Sequence, residues 1–259
     1  MSQILVTGCS RGIGHRVAEH LAAAGHHVIA TARDVGDLND LNVAERLTLD
    51  VTDDASVAAA ARAVDSLDVL INNAGIALQS PVEHTPLGAA QDLFDINVFG
   101  LLRTTQAFLP ALRRGRQPTV INVSSVVGRV GMPLVGAYAA SKWAVEGLSE
   151  AMALELEREG ITVKVLEPGY VSSGGVERSA TYFGPDPSKY APLVEALQAT
   201  GQNASTTQDV AEAIQRIVDG REGAFRVPVG PGADGLLQAR AGLNDEDFTA
   251  ALKGQLGLT

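Results

Sequence analysis

Cysteine is nearly absent from this chain of 259 residues. Cys9 stands alone, so no intrachain disulfide is possible, and the expected compartment is a reducing cytoplasm. Aromatic residues make up only 4% of the chain, and no apolar run is long enough to span a bilayer. No charged segment followed by a long apolar stretch precedes the first strand-like run, so a signal peptide is not expected. Cations are outnumbered, for a formal charge of −10. That balance argues against nucleic acid and against anionic membranes as partners. It does not exclude an anionic cofactor, because backbone dipoles bind phosphate locally.

What is abundant is Ala, Val, Leu and Gly, with 46% of the chain hydrophobic. Such a composition suits buried parallel strands covered by closely packed helices. Short runs recur at Ile4–Val6, Val28–Ala30, Leu47–Leu49, Val69–Ile71, Val120–Val123, Val163–Leu166 and Phe225–Val227. Segments rich in helix formers separate them, including Arg11–Ala24, Ala55–Val64, Ala89–Leu112 and Tyr138–Arg158. The alternation predicts an α/β chain with a doubly wound, mostly parallel sheet of seven strands and helices on both faces. No composition shift marks a boundary, so residues 1–259 read as one domain. Residues 172–205 break the rhythm with glycines and prolines and read as a substrate lid or loop insert. Residues 231–259 read as a helical tail.

Two features carry chemistry. Tyr138 and Lys142 are four positions apart within a predicted helix, which puts them on one face. A nearby cation favours phenolate and lowers a tyrosine from its usual pKa of about 10, toward proton transfer near neutral pH. Taken alone, such a pair is more often a solvated helix face. The second feature is Thr7-Gly8-Cys9-Ser10-Arg11-Gly12-Ile13-Gly14, which follows the first strand and opens the first helix. Gly8 permits a tight turn, and Gly12 and Gly14 let a pyrophosphate approach the backbone at the helix N-terminus. At the end of the second strand, Ala32 occupies the place where NAD-binding sites carry an acid, and Arg33 follows it. With Arg11 nearby, the cations favour NADP(H), with NAD(H) possible; a shift of one position would bring Asp34 into play.

The glycine turn, Asn72-Asn-Ala-Gly75, Ser125 and Tyr138-x-x-x-Lys142 stand in that order. Together they closely resemble the classical short-chain dehydrogenase/reductase family, over Gln3 to Val229. The wording Phe225-Arg-Val-Pro-Val-Gly230 also looks like the branch containing retinol and 17β-hydroxysteroid dehydrogenases. The resemblance implies a seven-stranded Rossmann sheet and hydride transfer between NAD(P)H and a carbonyl or alcohol. It implies that Tyr138 is the catalytic acid/base and that Lys142 binds the nicotinamide ribose and lowers the tyrosine pKa. Ser125, ranked above Ser124, would hold the substrate oxygen, and Asn97 would support a proton relay to the lysine. It places Asp50 and its neighbour Val51 near the adenine, and Asn73, Ala74 and Gly75 beside the adenine ribose. Pro168, Gly169, Val171 and Ser173 would face the nicotinamide amide. Dimers or tetramers packed through Ala89–Leu112 and Tyr138–Arg158 are implied as well.

Beside these stand plainer readings. Cys9 fits a small packed residue, Asp53 and Asp54 fit helix caps, and His15, His20, His26 and His27 fit surface or cap roles; no metal site is expected. Glu167 fits a structural acid. Tyr170, Tyr182, Phe183 and Tyr190 concentrate in or beside the insert. With Met132, Leu134 and Val135 opposite, they either line an apolar substrate pocket or pack the lid on the body. The expected partner is therefore a small hydrophobic ketone or alcohol, steroid-, retinoid- or polyketide-like. A 3-oxoacyl-thioester reductase and a catalytically silent NADP(H)-binding sensor are the alternatives.

Overall fold

Alternation along the strands divides the core between the two faces of one sheet. In the computed structural model, which describes residues 1–172, 180–201 and 204–258, seven parallel strands form this sheet. They are β1 (Gln3–Val6), β2 (His27–Ala32), β3 (Glu45–Thr48), β4 (Val69–Asn72), β5 (Thr119–Val123), β6 (Thr162–Pro168) and β7 (Arg226–Val229). Their spatial order is β7-β6-β5-β4-β1-β2-β3. Ile4, Val6, Val28, Ala30, Ile71 and Ile121 turn to one face, against α1 (Gly12–Ala23) and the Val210–Ile217 side of a later helix. Leu5, Ile29, Leu70, Val120 and Val163 turn to the other, against α2 (Asp54–Ala63) and two longer helices. A strand with period-two side chains, buried on both sides, is why these runs are continuously apolar. All seven strand expectations are met within a residue or two.

The order reverses between β1 and β4. At such a switch point the loops leaving the C-terminal strand ends diverge and open a crevice. The turn after β1 and the turn after β4 both lie there.

The expected single helix Ala89–Leu112 is instead three pieces. α3 (Leu87–Phe94) runs into a π-helical turn, Asp95–Phe99, and then α4 (Gly100–Leu112). A wide turn inside a helix shifts the side-chain register and recurs at functional sites. Here it carries Asn97 inward. Helical periodicity alone gives no signal for it, because α3 and α4 are both good helix formers. The helix holding Tyr138, α5, spans Gly136–Leu156.

The insert is more structured than a loop. Ala180–Thr181 pairs with Leu78–Gln79, and Ser205–Thr206 pairs with Val171–Ser172. Between them lie a 3-10 turn, Pro187–Tyr190, and α6 (Ala191–Thr200). Ser80 donates its hydroxyl to the Tyr182 carbonyl at 2.9 Å. α7 (Thr207–Val218) opens with a capping box in which Thr206 and Asp209 satisfy each other's backbone N–H. The tail forms α8 (Ala233–Gly242) and α9 (Asp245–Gln255). Among the described residues no helix is long and apolar enough to cross a membrane.

Candidate active site

The glycine turn is built by close approach. Gly8 has φ +73°, and a Cβ there would lie 2.9 Å from Ala74 Cα. A Cβ on Gly14 would meet the Gly8 carbonyl oxygen at 2.3 Å and Asn73 Nδ2 at 2.4 Å. Only glycine fits either place. Thr7 and Asn73 lock the two turns together. The Thr7 hydroxyl accepts from the Asn73 and Ala74 N–H groups, each at 2.9 Å. The Asn73 amide donates to the Thr7 carbonyl at 2.8 Å and the Gly8 carbonyl at 3.2 Å. The Asn73 side chain is therefore occupied in joining the turns. Ser10 and Arg11 are exposed beside them, and Ile13 packs against the core. No side chain caps the start of α1. Its first N–H groups remain available to an anion, so the residues present fit a pyrophosphate.

The neighbouring strand end carries the other residues named for the cofactor. Ala32 closes β2 and is buried, while Arg33 projects outward. Asp34 is committed elsewhere: its carboxylate accepts from the Gly36 N–H at 2.8 Å and caps the following turn. Asp50 accepts from the Thr52 N–H at 3.0 Å and the Thr52 hydroxyl at 2.8 Å, and Val51 is buried under Gly100.

Tyr138, Lys142 and Ser125 come together from different elements. Ser125 follows β5, Tyr138 and Lys142 lie in the first turns of α5, and Pro168 ends β6. The Ser125 hydroxyl donates to the Pro168 carbonyl at 3.1 Å. Ser124, its neighbour, is buried with a hydroxyl lacking any partner among the described residues. The Lys142 ammonium donates to the Val123 carbonyl at 2.8 Å and stands 5.8 Å from the centre of the Tyr138 ring.

Asn97 does not touch Lys142 directly. Its carbonyl oxygen accepts from the Ile76 N–H at 2.8 Å, and its amide donates to the Ile76 carbonyl at 2.9 Å and the Ser141 hydroxyl at 3.1 Å. Ser141 in turn donates to the Tyr138 carbonyl at 2.7 Å. The chain of contacts joins the π-helical turn to the catalytic helix. Gly75 makes room for it, since a Cβ there would lie 3.1 Å from Asn97 Oδ1.

The electrostatics differ from the expectation for the tyrosine. Burial pushes the Tyr138 phenol up to about 12, and its interaction with the Ser125 hydroxyl opposes this only partly. Burial pulls the Lys142 ammonium down to about 8, opposed by the charge of Glu146. In both groups desolvation is the largest influence.

A cavity of about 330 Å³ lies between the strap at Gln79, Tyr170 after β6, and the insert. Tyr170 and Phe183 line it. Gln79, Val194, Leu197 and Gln198 line it as well. The three on α6 were not anticipated, because that helix was hidden inside a Gly- and Pro-punctuated stretch. Leu134 does not line it. It is buried, with φ +64°, and its carbonyl accepts from the Ser80 N–H at 2.6 Å. Met132 also lies outside the lining and Tyr182 is exposed. Tyr190 is buried against Glu83 and His84. Gly169 donates its N–H to the Val229 carbonyl at 2.9 Å, and Val171 is buried. Ser173 lies outside the described residues.

A family model for short chain dehydrogenases matches residues 2–181. The chain belongs to this family. Among curated members, bovine (Bos taurus) retinol dehydrogenase 8 is 41% identical over 182 residues, covering 65% of this chain and 58% of its own length. The match thus spans less than two thirds of that relative. A solved short-chain dehydrogenase from Streptomyces avermitilis is 33% identical, with TM-score 0.84 over 100% of this chain and 99% of that one. Another from Burkholderia cenocepacia, in complex with NADP, is 27% identical, with TM-score 0.81 over 98% and 97%. In this chain the glycine turn is joined to the Asn73–Gly75 turn, and Gly75 abuts Asn97, which reaches the Tyr138–Lys142 helix through Ser141.

Proposed function

We propose that the chain is an NADP(H)-dependent oxidoreductase that interconverts a hydroxyl and a carbonyl on a small hydrophobic molecule. The observation carrying this reading is the convergence of the Tyr138 phenol with the Ser125 hydroxyl, backed by the buried Lys142 ammonium. The bound nicotinamide cofactor supplies the hydride. Gly8, Gly12, Gly14 and the start of α1 would hold its pyrophosphate, and Asp50, Val51 and Ala74 would bind toward its adenine end. Pro168, Gly169 and Val171 would bind toward its nicotinamide end, with Lys142 at the ribose.

As negative charge grows on the substrate oxygen, Tyr138 gives it a proton and Ser125 donates a hydrogen bond. Because burial keeps the phenol protonated at neutral pH, the resting tyrosine is in the form that reduction requires. Exposed Arg11 and Arg33, with Asp34 spent on its own turn, support a 2′-phosphate in preference to a free ribose hydroxyl. The name retinol dehydrogenase 8 and the Tyr170 and Phe183 lining support an apolar ketone or alcohol. We read residues 1–259 as one domain, with the described insert residues 180–201 on the substrate side.

Association through α5 is part of the same reading. Ala140, Trp143, Gly147, Ala151 and Leu154 recur at helical spacing and are exposed, a small-residue stripe flanked by large apolar groups. A second copy packed there forms a homodimer or homotetramer. Turnover of NADPH with a panel of hydrophobic ketones tests the function. No turnover across the panel, with tight NADPH binding, would replace it with a cofactor-binding sensor.

A further inference from the structure

A carboxylate lies behind the catalytic lysine. Glu146 is one turn along α5 from Lys142 and is buried, with a relative exposure of 4%. Arg226, from β7, clamps it: Nε donates to Glu146 Oε2 at 2.9 Å, while Nη2 reaches Glu150 at 2.5 Å. The second oxygen, Oε1, has no hydrogen-bond partner among the described residues. The carboxylate is also pressed against the turn that carries Ser125. A Cβ on Gly128 would lie 2.7 Å from Ser124 Oγ, 3.1 Å from Glu146 Cγ and 3.1 Å from the Lys142 carbonyl oxygen.

Joining α5 to β7 does not require this arrangement. Glu150 is exposed and already reaches the same guanidinium. Burying a second carboxylate with an orphaned oxygen carries a desolvation cost that a surface pair avoids. The burial has a counterpart in Lys142, itself 6% exposed, whose ammonium loses water and keeps one carbonyl acceptor. A buried cation without a counter-charge gives up its proton.

We propose that Glu146, clamped by Arg226, is a positioning residue for Lys142: its carboxylate is the counter-charge that keeps the buried ammonium protonated behind Tyr138. The proposal rests on the role given to Lys142 under the proposed function. Further charges gather on the Glu146 side. Glu167 comes from β6, Arg129 from the turn after Ser125, and Arg226 from β7. Arg129 and Arg226 stand 3.7 and 3.8 Å from Glu167 Oε1, and Asp234 of α8 acts on Glu167 from beyond. Burial and the neighbouring Glu146 raise Glu167 to about 7, so Glu167 is only partly ionised at neutral pH. Among these carboxylates Glu146 is the one that shares α5 with Lys142, one turn along.

The chain has four lysines, Lys142, Lys164, Lys189 and Lys253, so a side-chain carbon-13 NMR titration resolves each one. Lys142 is assigned by its loss in Lys142→Arg. In the wild type its midpoint falls near 8. In Glu146→Gln it moves down by about one pH unit or more, and well above pH 8 kcat/KM drops about tenfold as its basic limb follows. Glu150→Gln, which removes the other Arg226 partner, leaves both unchanged. Glu146→Asp keeps the charge and restores the midpoint toward wild type if Glu146→Gln folds poorly. An unmoved Lys142 midpoint in folded Glu146→Gln overturns the proposal. A moved midpoint with an unmoved kcat/KM profile instead overturns the catalytic role of Lys142 and leaves the coupling standing.

Discussion

The Lys142 ammonium stands 5.8 Å from the centre of the Tyr138 ring and is tied to the end of β5, not to the phenol, through the Val123 carbonyl. The two side chains share a helix face, as four-residue spacing requires, yet their charges respond mainly to burial. The phenol stays protonated and the ammonium is weakened.

Removing the phenol hydroxyl tests the chemistry. Tyr138→Phe should cut kcat by about two to four orders of magnitude, the usual worth of a positioned acid/base. NADPH affinity by fluorescence titration should stay within a fewfold. Near-native turnover would remove Tyr138 from the mechanism.

Arg33 tests the cofactor. Wild type should bind NADPH more tightly than NADH. Arg33→Ala should weaken NADPH about tenfold to a hundredfold, the worth of a charge-assisted hydrogen bond, and leave NADH nearly unchanged. Equal losses for both cofactors would show that Arg33 does not read the 2′-phosphate.

Gly14 tests the seam between the two turns. A methyl there meets backbone of the Gly8 turn and the Asn73 amide, neither of which has room to give. Gly14→Ala should lower stability by about 1–3 kcal/mol in urea unfolding and weaken NADPH binding together. A variant of unchanged stability and affinity would mean the turns yield without consequence.

Glu167 gives a pH signature. Its ordinary carboxyl value is 4.5, and in the folded chain it is raised to about 7. Between those values the folded protein holds a proton that the unfolded chain has released. Stability therefore declines as pH rises from about 4.5 to about 7, and the loss is complete above 7. Glu167→Gln removes this loss. Its Tm relative to wild type should thus be more favourable at pH 8 than at pH 5; the opposite order would count against a raised carboxyl.

Much of the fold was legible. The seven strands follow from Val/Ile/Leu runs, and the glycine turn follows from its place between β1 and α1. Both are local signals, set by side-chain period and by backbone freedom at Gly8 and Gly14. The π-helical turn was not legible, since Asp95–Phe99 has ordinary helix-compatible residues. Its widening is held by Asn97 gripping Ile76, 21 positions away. The packed turn at Leu134 was not legible either, since hydrophobicity does not distinguish a pocket wall from a buried residue with positive φ.

Spacing along the chain sufficed for the tyrosine–lysine pair, the phosphate turn and the order of the motifs, because these depend on neighbours within a turn or two. Partners were decided by tertiary packing. Arg226 and Glu146 are 80 positions apart, and Ser125 and Pro168 are 43 apart. The sheet brings β5, β6 and β7 side by side, so that Ser125 meets the Pro168 carbonyl, Ser124 is left without a partner among the described residues, and Arg226 meets the buried Glu146. Burial and hydrogen-bond partnership are properties of the assembled layers, and no local pattern of residues encodes them.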